Sequence, residues 1–533
     1  MSADLAVFGA HIRTMDPERP LASAIAVSKG TVVAIGSDDE VRGLCDASTQ
    51  VLSGTGWAIT PGLNDGHQHI FSGAERGRGV DFDRVVDLDA VRNLLASRRQ
   101  QIGAGTWLQG YSLEYAALGG RNYNHDLLDA AAGAGPMMVI SLDGHTAFVN
   151  SEALRLAGID GPRRFDDNSS IVCDATGRPT GELRERGAMN LVRSVIPIPT
   201  HEEKMAWYRE TVAQQNAVGL TSLDLMDGSF ETLDLLEELE AEDALTLRVS
   251  MHYTISPTTD ASVIDAIAKG PKRAGARWRA GGVKFFMDGV IETGTAWLEE
   301  PDTHGDGNDP MWPDIARYRQ LVRTFHDEDF QVATHAIGDR AVREVLDTYR
   351  GLPGGHGRHR VEHIETVPDQ TIARFLPEGV AASMQPMHLR WMKPDLSDPW
   401  SERLGAHRCE HTMRSGDLSA AGALMVLGSD WPVASYDPRL GFYTAQLRRA
   451  PDLPDKGAIG TSRPLTGEET LAGYTTNAAK ANGESDLAGM LRPGCRADFV
   501  AWAEDPAECP ARDVAELPVL ATVVAGAVVH QAA

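Results

Sequence analysis

Residues 61–70 read PGLNDGHQHI and place two histidines, His67 and His69, two positions apart at the end of an apolar run. A strand has a period of two, so both imidazoles would point to the same side. Two imidazoles aimed into one cavity are half a site for a divalent cation; the other reading is a pair of surface histidines in a polar turn. Lys284 lies in GGVKFFMDG, where Val283, Phe285 and Met287 alternate with Lys284, Phe286 and Asp288. If the first set faces helices, Lys284 and Asp288 face an interior, and a buried lysine needs a partner or a changed charge state. Two answers stay open: carbamylation by carbon dioxide, giving a carboxylate that can bridge two metals, or pairing with an acid such as Asp430. His335 ends the run FQVATH and His363 ends HRVEH, with Arg360 and Glu362 expected on the opposite face as a structural pair. Asp430 follows ALMVLGS. An acid there can ligate a metal and take a proton from activated water, although a lone Asp at a strand end also reads as a cap or turn. Four histidines and an acid with no cysteine suit zinc, manganese, iron or nickel, zinc being the default, with one or two ions.

These side chains must be positioned by a scaffold that brings scattered strand ends together. Eight short apolar runs qualify: WAITPGLND, LTSLDLMD, LRVSMHY, GVKFFMDG, FQVATH, HRVEHIE, VAASMQP and ALMVLGSD. Amphipathic helices separate them. In 314–329, Ile315, Tyr318, Leu321, Val322 and Phe325 fall on one face, and Glu202–Val218 is another helix, stopped by Gly219. Strands alternating with helices imply parallel pairing, and eight such units imply a (β/α)8 TIM barrel, an α/β fold, over residues 58–480. The six residues then arrive at the C-terminal ends of barrel strands one, four, five, six and eight, where barrel enzymes keep their chemistry. Residues 72–200 are too long for one βα loop and read as an insertion after strand one on the catalytic face, with short helices, Gly-rich turns and a hairpin in SIVCDATGRPTGEL. Both ends of the chain are β-rich. SAIAVSKGTVVAIGS carries a hairpin signal at Lys29-Gly30, and residues 1–57 with 481–533 are expected to form one small β-sandwich domain.

Composition excludes other classes. Fifty Lys and Arg against 75 Asp and Glu give a net charge of −25, the wrong sign for a phosphate-backbone partner, so no nucleic acid is expected. The five cysteines are odd in number and never in a C-x-x-C pair, which argues against a disulfide framework or an all-cysteine zinc site. The N-terminus lacks a basic start and an apolar core, and no apolar run is long enough to span a membrane. A cytoplasmic enzyme acting on a small molecule is the default, with a homodimer the commonest assembly.

The H-x-H, the lysine, two later histidines and a final Asp resemble the signature of the amidohydrolase superfamily. GHTAFVNS (144–151), PTGELRE (179–185), VKFFMDG, THAIGDRAV (334–342), VEHIE, SMQPMH (383–388), GSDWPV (428–433) and GMLRPGCRADFVAW (489–502) resemble amidohydrolase family 3, including its N-substituted formamide deformylases. One departure is PGLNDGHQH, where relatives commonly read PGFIDxHxH; the histidines and Asp65 remain. The resemblance implies a metal-dependent hydrolase of non-peptide carbon–nitrogen bonds. His67, His69, Lys284, His335, His363 and Asp430 would hold metal, with Asp430 and His363 catalytic. His145, Glu185, Asp288, His388, Trp107 and Trp431 are substrate-side candidates, and Phe286 and Trp391 join the aromatics at strand ends, where packing is the commoner role. Two rivals remain: an isomerase, lyase or cyclising enzyme on the same scaffold, separable by net water uptake, and a non-catalytic binding protein, which would have lost Asp430 or the histidines.

Overall fold

The computed structural model describes residues 2–83, 85, 87–119, 122–141, 145–165, 169–353, 359–451 and 457–532. Contacts partition the chain into two units, residues 1–70 with 208–533, and residues 71–207.

In the larger unit, eight parallel strands form one sheet in sequence order: Leu63–Gln68, Leu220–Gly228, Arg248–Thr254, Trp278–Phe286, Gln331–Ala336, Arg360–His363, Ala381–Met384 and Leu424–Leu427. The seam between first and last strands is closed just past the end of the last one. Asp430 N donates to His67 O at 2.7 Å and His69 N to Trp431 O at 2.9 Å. Asp65 staples the same seam, accepting from Ser429 N at 2.8 Å and Ser429 Oγ at 2.6 Å. Only glycine fits at Gly66, where a Cβ would press into Val426 and lie 2.8 Å from Leu427 O.

Phe285 packs against Trp312, Tyr318 and Phe325, with ring centroids 5.8, 5.5 and 6.2 Å away. Helix Ile315–Asp327 is capped by Asp314, which accepts from Ala316 N, and buries Tyr318, Leu321, Val322 and Phe325. Each such side chain contributes about 1.5–3 kcal/mol of burial.

Strands from both termini form two further sheets. One has four strands in the order Thr31–Gly36, Ala24–Ser28, Leu5–Phe8, Gln50–Ser53; the other has six, in the order Ala527–Gln531, Val519–Val524, Phe499–Trp502, Ala58–Pro61, His11–Arg13, Leu21–Ala22. They share a core containing Val7, Ile25, Val27, Ile59, Phe499 and Val523. The hairpin turns at Lys29 (φ 50°) and Gly30 (φ 73°), both left-handed, which matches the twist of paired strands.

One expected strand divides. WAITPGLND is not a single barrel strand: Ala58–Pro61 pairs with Phe499–Trp502 in the terminal sheet, and the barrel begins at Leu63. Proline 61 has no amide hydrogen, and Gly62 turns the chain so that its N–H bonds Asp498 O at 2.9 Å.

The 71–207 unit has its own six-stranded sheet, in the order Ser170–Cys173, Pro179–Arg184, Thr146–Val149, Met137–Ser141, Leu108–Leu113, Val80–Asp81. The hairpin expected in 170–183 is present as the antiparallel pair Ser170–Cys173 with Pro179–Arg184. Helices Leu88–Ile102 and Asp126–Ala132 join this sheet in a core around Phe82, Leu95, Leu128 and Phe148.

Candidate metal centre

The C-terminal mouth of the barrel gathers the side chains that end its strands. His69 Nε2 lies 2.9 Å from Asp430 Oδ1 and His67 Nε2 lies 3.4 Å from the same oxygen. One ligand atom from each of His67, His69 and Asp430 falls within 4.8 Å of the others, and a second group of three, His363, His388 and Asp430, meets the same test. Asp430 belongs to both. Its Oδ1 faces the first-strand pair, while its Oδ2 stands 3.9 Å from His363 Nδ1 and 3.6 Å from His388 Nε2. Lys284 Nζ is 3.1 Å from His67 Nε2. His335 and His363 close the ring, with centroids 4.4 Å apart, and His363 lies 4.7 Å from His67.

The outward nitrogens of these imidazoles are held by other groups. His67 Nδ1 donates to Glu362 Oε2 at 2.7 Å, His363 Nδ1 to Gln385 Oε1 at 2.8 Å, and His335 Nε2 to the Gly289 carbonyl at 3.0 Å. His69 Nδ1 stands 3.4 Å from Asp227 Oδ1. Such bonds set the tautomer and leave the other nitrogen's lone pair for a metal. Tetrahedral zinc with bonds near 2.0–2.1 Å needs donors about 3.3 Å apart, which the 3.4 Å separation of His67 Nε2 and Asp430 Oδ1 matches. The donor set therefore fits a divalent cation.

Electrostatics agree. Burial, then the Lys284 charge, push His67 down to about 3, so it is neutral and able to ligate. Burial likewise brings His335 down to about 4 and Lys284 down to about 8, the latter against the pull of Glu362 and Asp430. At His69 burial opposes the charge, but hydrogen bonds to Asp227 and Asp430 outweigh it and raise the ring to about 9. The His69 proton sits between two carboxylates, where an arriving cation would displace it. Burial raises Asp430, yet the neighbouring imidazoles hold it well below the usual carboxylate range.

Two of these residues have left-handed backbone, His363 at φ 76° and Asp430 at φ 59°, of a kind that costs about 1–3 kcal/mol and clusters at functional sites. The turn at His363 also corrects the expectation for its neighbours. Glu362 and Arg360 do pair, Arg360 Nε to Glu362 Oε1 at 2.5 Å, but Glu362 also grips His67. His363 left the regular strand alternation at its positive φ and so reaches the same interior. Asp288 is corrected too. It is fully buried, with its oxygens accepting from Trp297 N at 2.8 Å, Ile337 N at 3.0 Å and Gly338 N at 2.8 Å, so it braces loops and has no face for a substrate.

His388, expected on the substrate side, stacks on His363 at 5.7 Å, with Nδ1 held by Glu365 at 3.2 Å and a buried Nε2 that has no hydrogen-bond partner. Trp391 lies 4.6 Å from the His388 ring and Phe286 5.3 Å from His335. Trp431 packs edge-on to Tyr436 at 5.1 Å. His145, Glu185 and Trp107 belong to the 71–207 unit. There His145 Nδ1 lies 3.2 Å from Glu185 Oε2, and Trp107 packs against the apolar core that includes Met138 and Val149; Gly144 of the GHTAFVNS motif lies outside the described residues. Asp227, Glu362, Glu365 and Gln385 were missed as site residues. The available signal was an acid or amide at the end of LTSLDLMD, HRVEHIE and VAASMQ.

A closed parallel barrel whose C-terminal mouth collects imidazoles, a lysine and a shared carboxylate is the architecture of a metal-dependent hydrolase. The model of the amidohydrolase family matches residues 50–530, and the chain belongs to that family. It is 29% identical to Protein LONG AFTER FAR-RED 3 of Arabidopsis thaliana, over 98% of this chain and 91% of that one. It is 26% identical to the N-substituted formamide deformylase of Arthrobacter pascens, over 98% and 97%. Its fold is similar to that of an uncharacterized metal-dependent hydrolase from Pyrococcus furiosus, with a TM-score of 0.73 at 24% identity, covering 95% of this chain and all (100%) of the other. No described helix is long and apolar enough to cross a membrane, and all five cysteines are free.

Proposed function

We propose that this protein hydrolyses a carbon–nitrogen bond of a small molecule, an amide or N-substituted formamide, at one or two divalent ions, zinc by default. His67, His69, Lys284, His335, His363 and Asp430 would hold the ion or ions. The observation that carries the reading is the Asp430 carboxylate, which turns one oxygen to each histidine pair. A bound divalent ion supplies an acidified water and a polarised carbonyl. Asp430, ionised and central, takes the water's proton and returns it to the leaving nitrogen, which acid–base catalysis of amide cleavage requires. Glu362 keeps the His67 lone pair aimed inward. The buried, unpartnered His388 Nε2 is placed to hold the substrate oxygen. Lys284 supports carbamylation, because burial lowers it to about 8 and the neutral amine is the form that adds carbon dioxide. The similarity to a formamide deformylase over nearly the whole chain supports the bond class.

The test is metal analysis together with hydrolysis of formamides, amides and N-acyl amino acids, before and after chelation, and with Asp430→Asn. Metal-dependent release of amine that the variant loses is the expected result. Full activity in either the chelated protein or Asp430→Asn refutes the assignment. Intact-mass measurement with labelled carbon dioxide reads the state of Lys284.

A further inference from the structure

The opposite mouth of the barrel holds a polar cavity of about 290 Å³. It lies among the N-terminal ends of the strands, at Asn64, Ser222, Arg248 and Arg279, away from the face where barrel enzymes keep their chemistry. In a chain of net charge −25 its wall is basic. Arg248, Arg277, Arg279 and Arg496 line it against a single carboxylate on the same wall, Glu484. Arg496 and Arg279 share Glu484, at 2.9 and 3.1 Å. Arg248 is paired with Asp498 at 2.6 Å, and Glu240 lies behind the turn, accepting from Arg277 N at 2.7 Å. The Arg277 guanidinium donates to the Leu245 carbonyl at 2.9 Å. The guanidiniums of Arg248, Arg279 and Arg496 thus have carboxylate partners, whereas that of Arg277 bonds a backbone carbonyl.

Two amides on the same wall are incomplete. Asn64 Nδ2 and Asn482 Oδ1 are buried without a hydrogen-bond partner, in residues only 8% and 9% exposed. An orphaned buried polar atom costs about 1–3 kcal/mol; neither atom presents accessible surface in this structure, so a ligand that supplies both partners reaches them as these wall side chains turn toward the cavity. The orientation of Asn482 is set, because its Nδ2 donates to Asp224 Oδ1 at 2.6 Å.

That bond begins a buried chain through the barrel. Arg360 Nη1 donates to Asp224 Oδ2 at 2.7 Å, Arg360 Nε to Glu362 Oε1 at 2.5 Å, and Glu362 Oε2 accepts from His67 Nδ1 at 2.7 Å. Asp224, Arg360 and Glu362 are all fully buried. The cavity wall is therefore four hydrogen bonds from a residue of the metal centre.

We propose that this cavity is a second ligand site, taking a small oxyanion that also carries a hydroxyl, such as a hydroxycarboxylate or a monobasic phosphate, and that its occupancy is felt at His67 through the Asn482–Asp224–Arg360–Glu362 chain. The oxyanion meets the guanidiniums and Asn64 Nδ2; the hydroxyl donates to Asn482 Oδ1. Binding stands apart from the proposed reaction, whereas transmission rests on His67 holding metal.

The test is calorimetric titration of the metal-loaded protein with inorganic phosphate, malate and succinate. Phosphate and malate bind, and succinate, which lacks the hydroxyl, binds more weakly. Arg279→Gln weakens malate by at least about tenfold, the loss of one charge-assisted hydrogen bond, and Arg279→Lys falls between. Arg277→Gln, at a guanidinium that donates to the Leu245 carbonyl, is the second variant should the first fail to fold. Malate also changes the rate at which a chelator strips metal from the wild type but not from Arg279→Gln. No binding of any of the three, malate no tighter than succinate, or equal binding by wild type and both Gln variants overturns the site; that last pattern with phosphate places it at the metal instead. Binding with no change in metal loss overturns the transmission. Neither readout needs a substrate, so failure of the hydrolase reading is seen separately.

Discussion

Glu362→Gln removes one charge from the interior and changes almost no volume. Glu362 uses both oxygens: Oε2 receives His67 Nδ1 at 2.7 Å, and Oε1 receives Arg360 Nε at 2.5 Å. An amide has one acceptor oxygen. If that oxygen serves His67, the NH2 faces the Arg360 donors; if it serves Arg360, the NH2 faces the Nδ1 hydrogen. Either way one bond becomes a clash of donors. Losing the partner of a metal-binding histidine typically weakens metal affinity 10- to 100-fold, about 1.4–2.7 kcal/mol. Arg360 keeps Asp224 at 2.7 Å and the Ser383 hydroxyl at 2.8 Å, so the fold should lose about 3 kcal/mol, the low end for breaking a buried pair. The assay is competition for zinc against a chromogenic chelator, with thermal unfolding followed with and without metal. A variant that holds zinc within about twofold of wild type refutes the claim that Glu362 orients His67. A variant with weakened metal but unchanged melting of the metal-free protein refutes the claim that Arg360 depends on it.

Other perturbations reach other parts of the molecule. Gly338→Ala would set a Cβ on the Trp297 backbone, 2.6 Å from its carbonyl carbon and 2.9 Å from its nitrogen, beside the Asp288 brace. It should cost about 1–3 kcal/mol of stability, read from the denaturant midpoint. Phe325→Ala empties the pocket between Phe285 and Phe330 and should cost about 3–5 kcal/mol in the same measurement. The hydrogen bond to Arg463 and the backbone amide of Thr466 outweigh burial and hold Glu469 down to about 2. Its contribution is therefore complete above about 4.5 and fades as pH falls toward 2. Glu469→Gln should be less stable by about 1 kcal/mol at neutral pH and should converge on the wild type in acid; a constant gap across that window contradicts the assignment. Stripping the metal should lower the melting temperature, and free metal at about 1,000 times Kd should restore about 4 kcal/mol.

The barrel was readable because its strands are short buried runs, five of which lead into a residue with chemistry. Lys284, His335, His363 and Asp430 could be placed at strand ends by counting alternations, and the structure brings those ends to one mouth. What counting could not supply lay where the alternation stops. His363 turns left-handed, so Glu362 and His363 reach the same interior although they are adjacent. Asp288 has the spacing of an interior residue, but it lies two residues past the end of its strand at Phe286, and neighbouring loop amides claim it. Pro61 and Gly62 separate two sheets within what reads as one apolar run. In the 71–207 unit, strands such as LQGYSL carry too few apolar residues to show a period, and pairing across long loops decided their state.

The division at Pro61 also bears on the order in which the molecule is assembled. Ala58–Pro61 finds its antiparallel neighbour in Phe499–Trp502, which leaves the ribosome only after the entire barrel has been made. His67 and His69 ride on the strand that continues directly from that pairing. Until the late segment arrives, the beginning of the barrel is held on one side only, by the early strand His11–Arg13, and the ring of parallel strands, itself dominated by distant partners, closes slowly. A nascent chain halted before residue 499 should hold its two earliest metal ligands on a strand fixed along one edge alone.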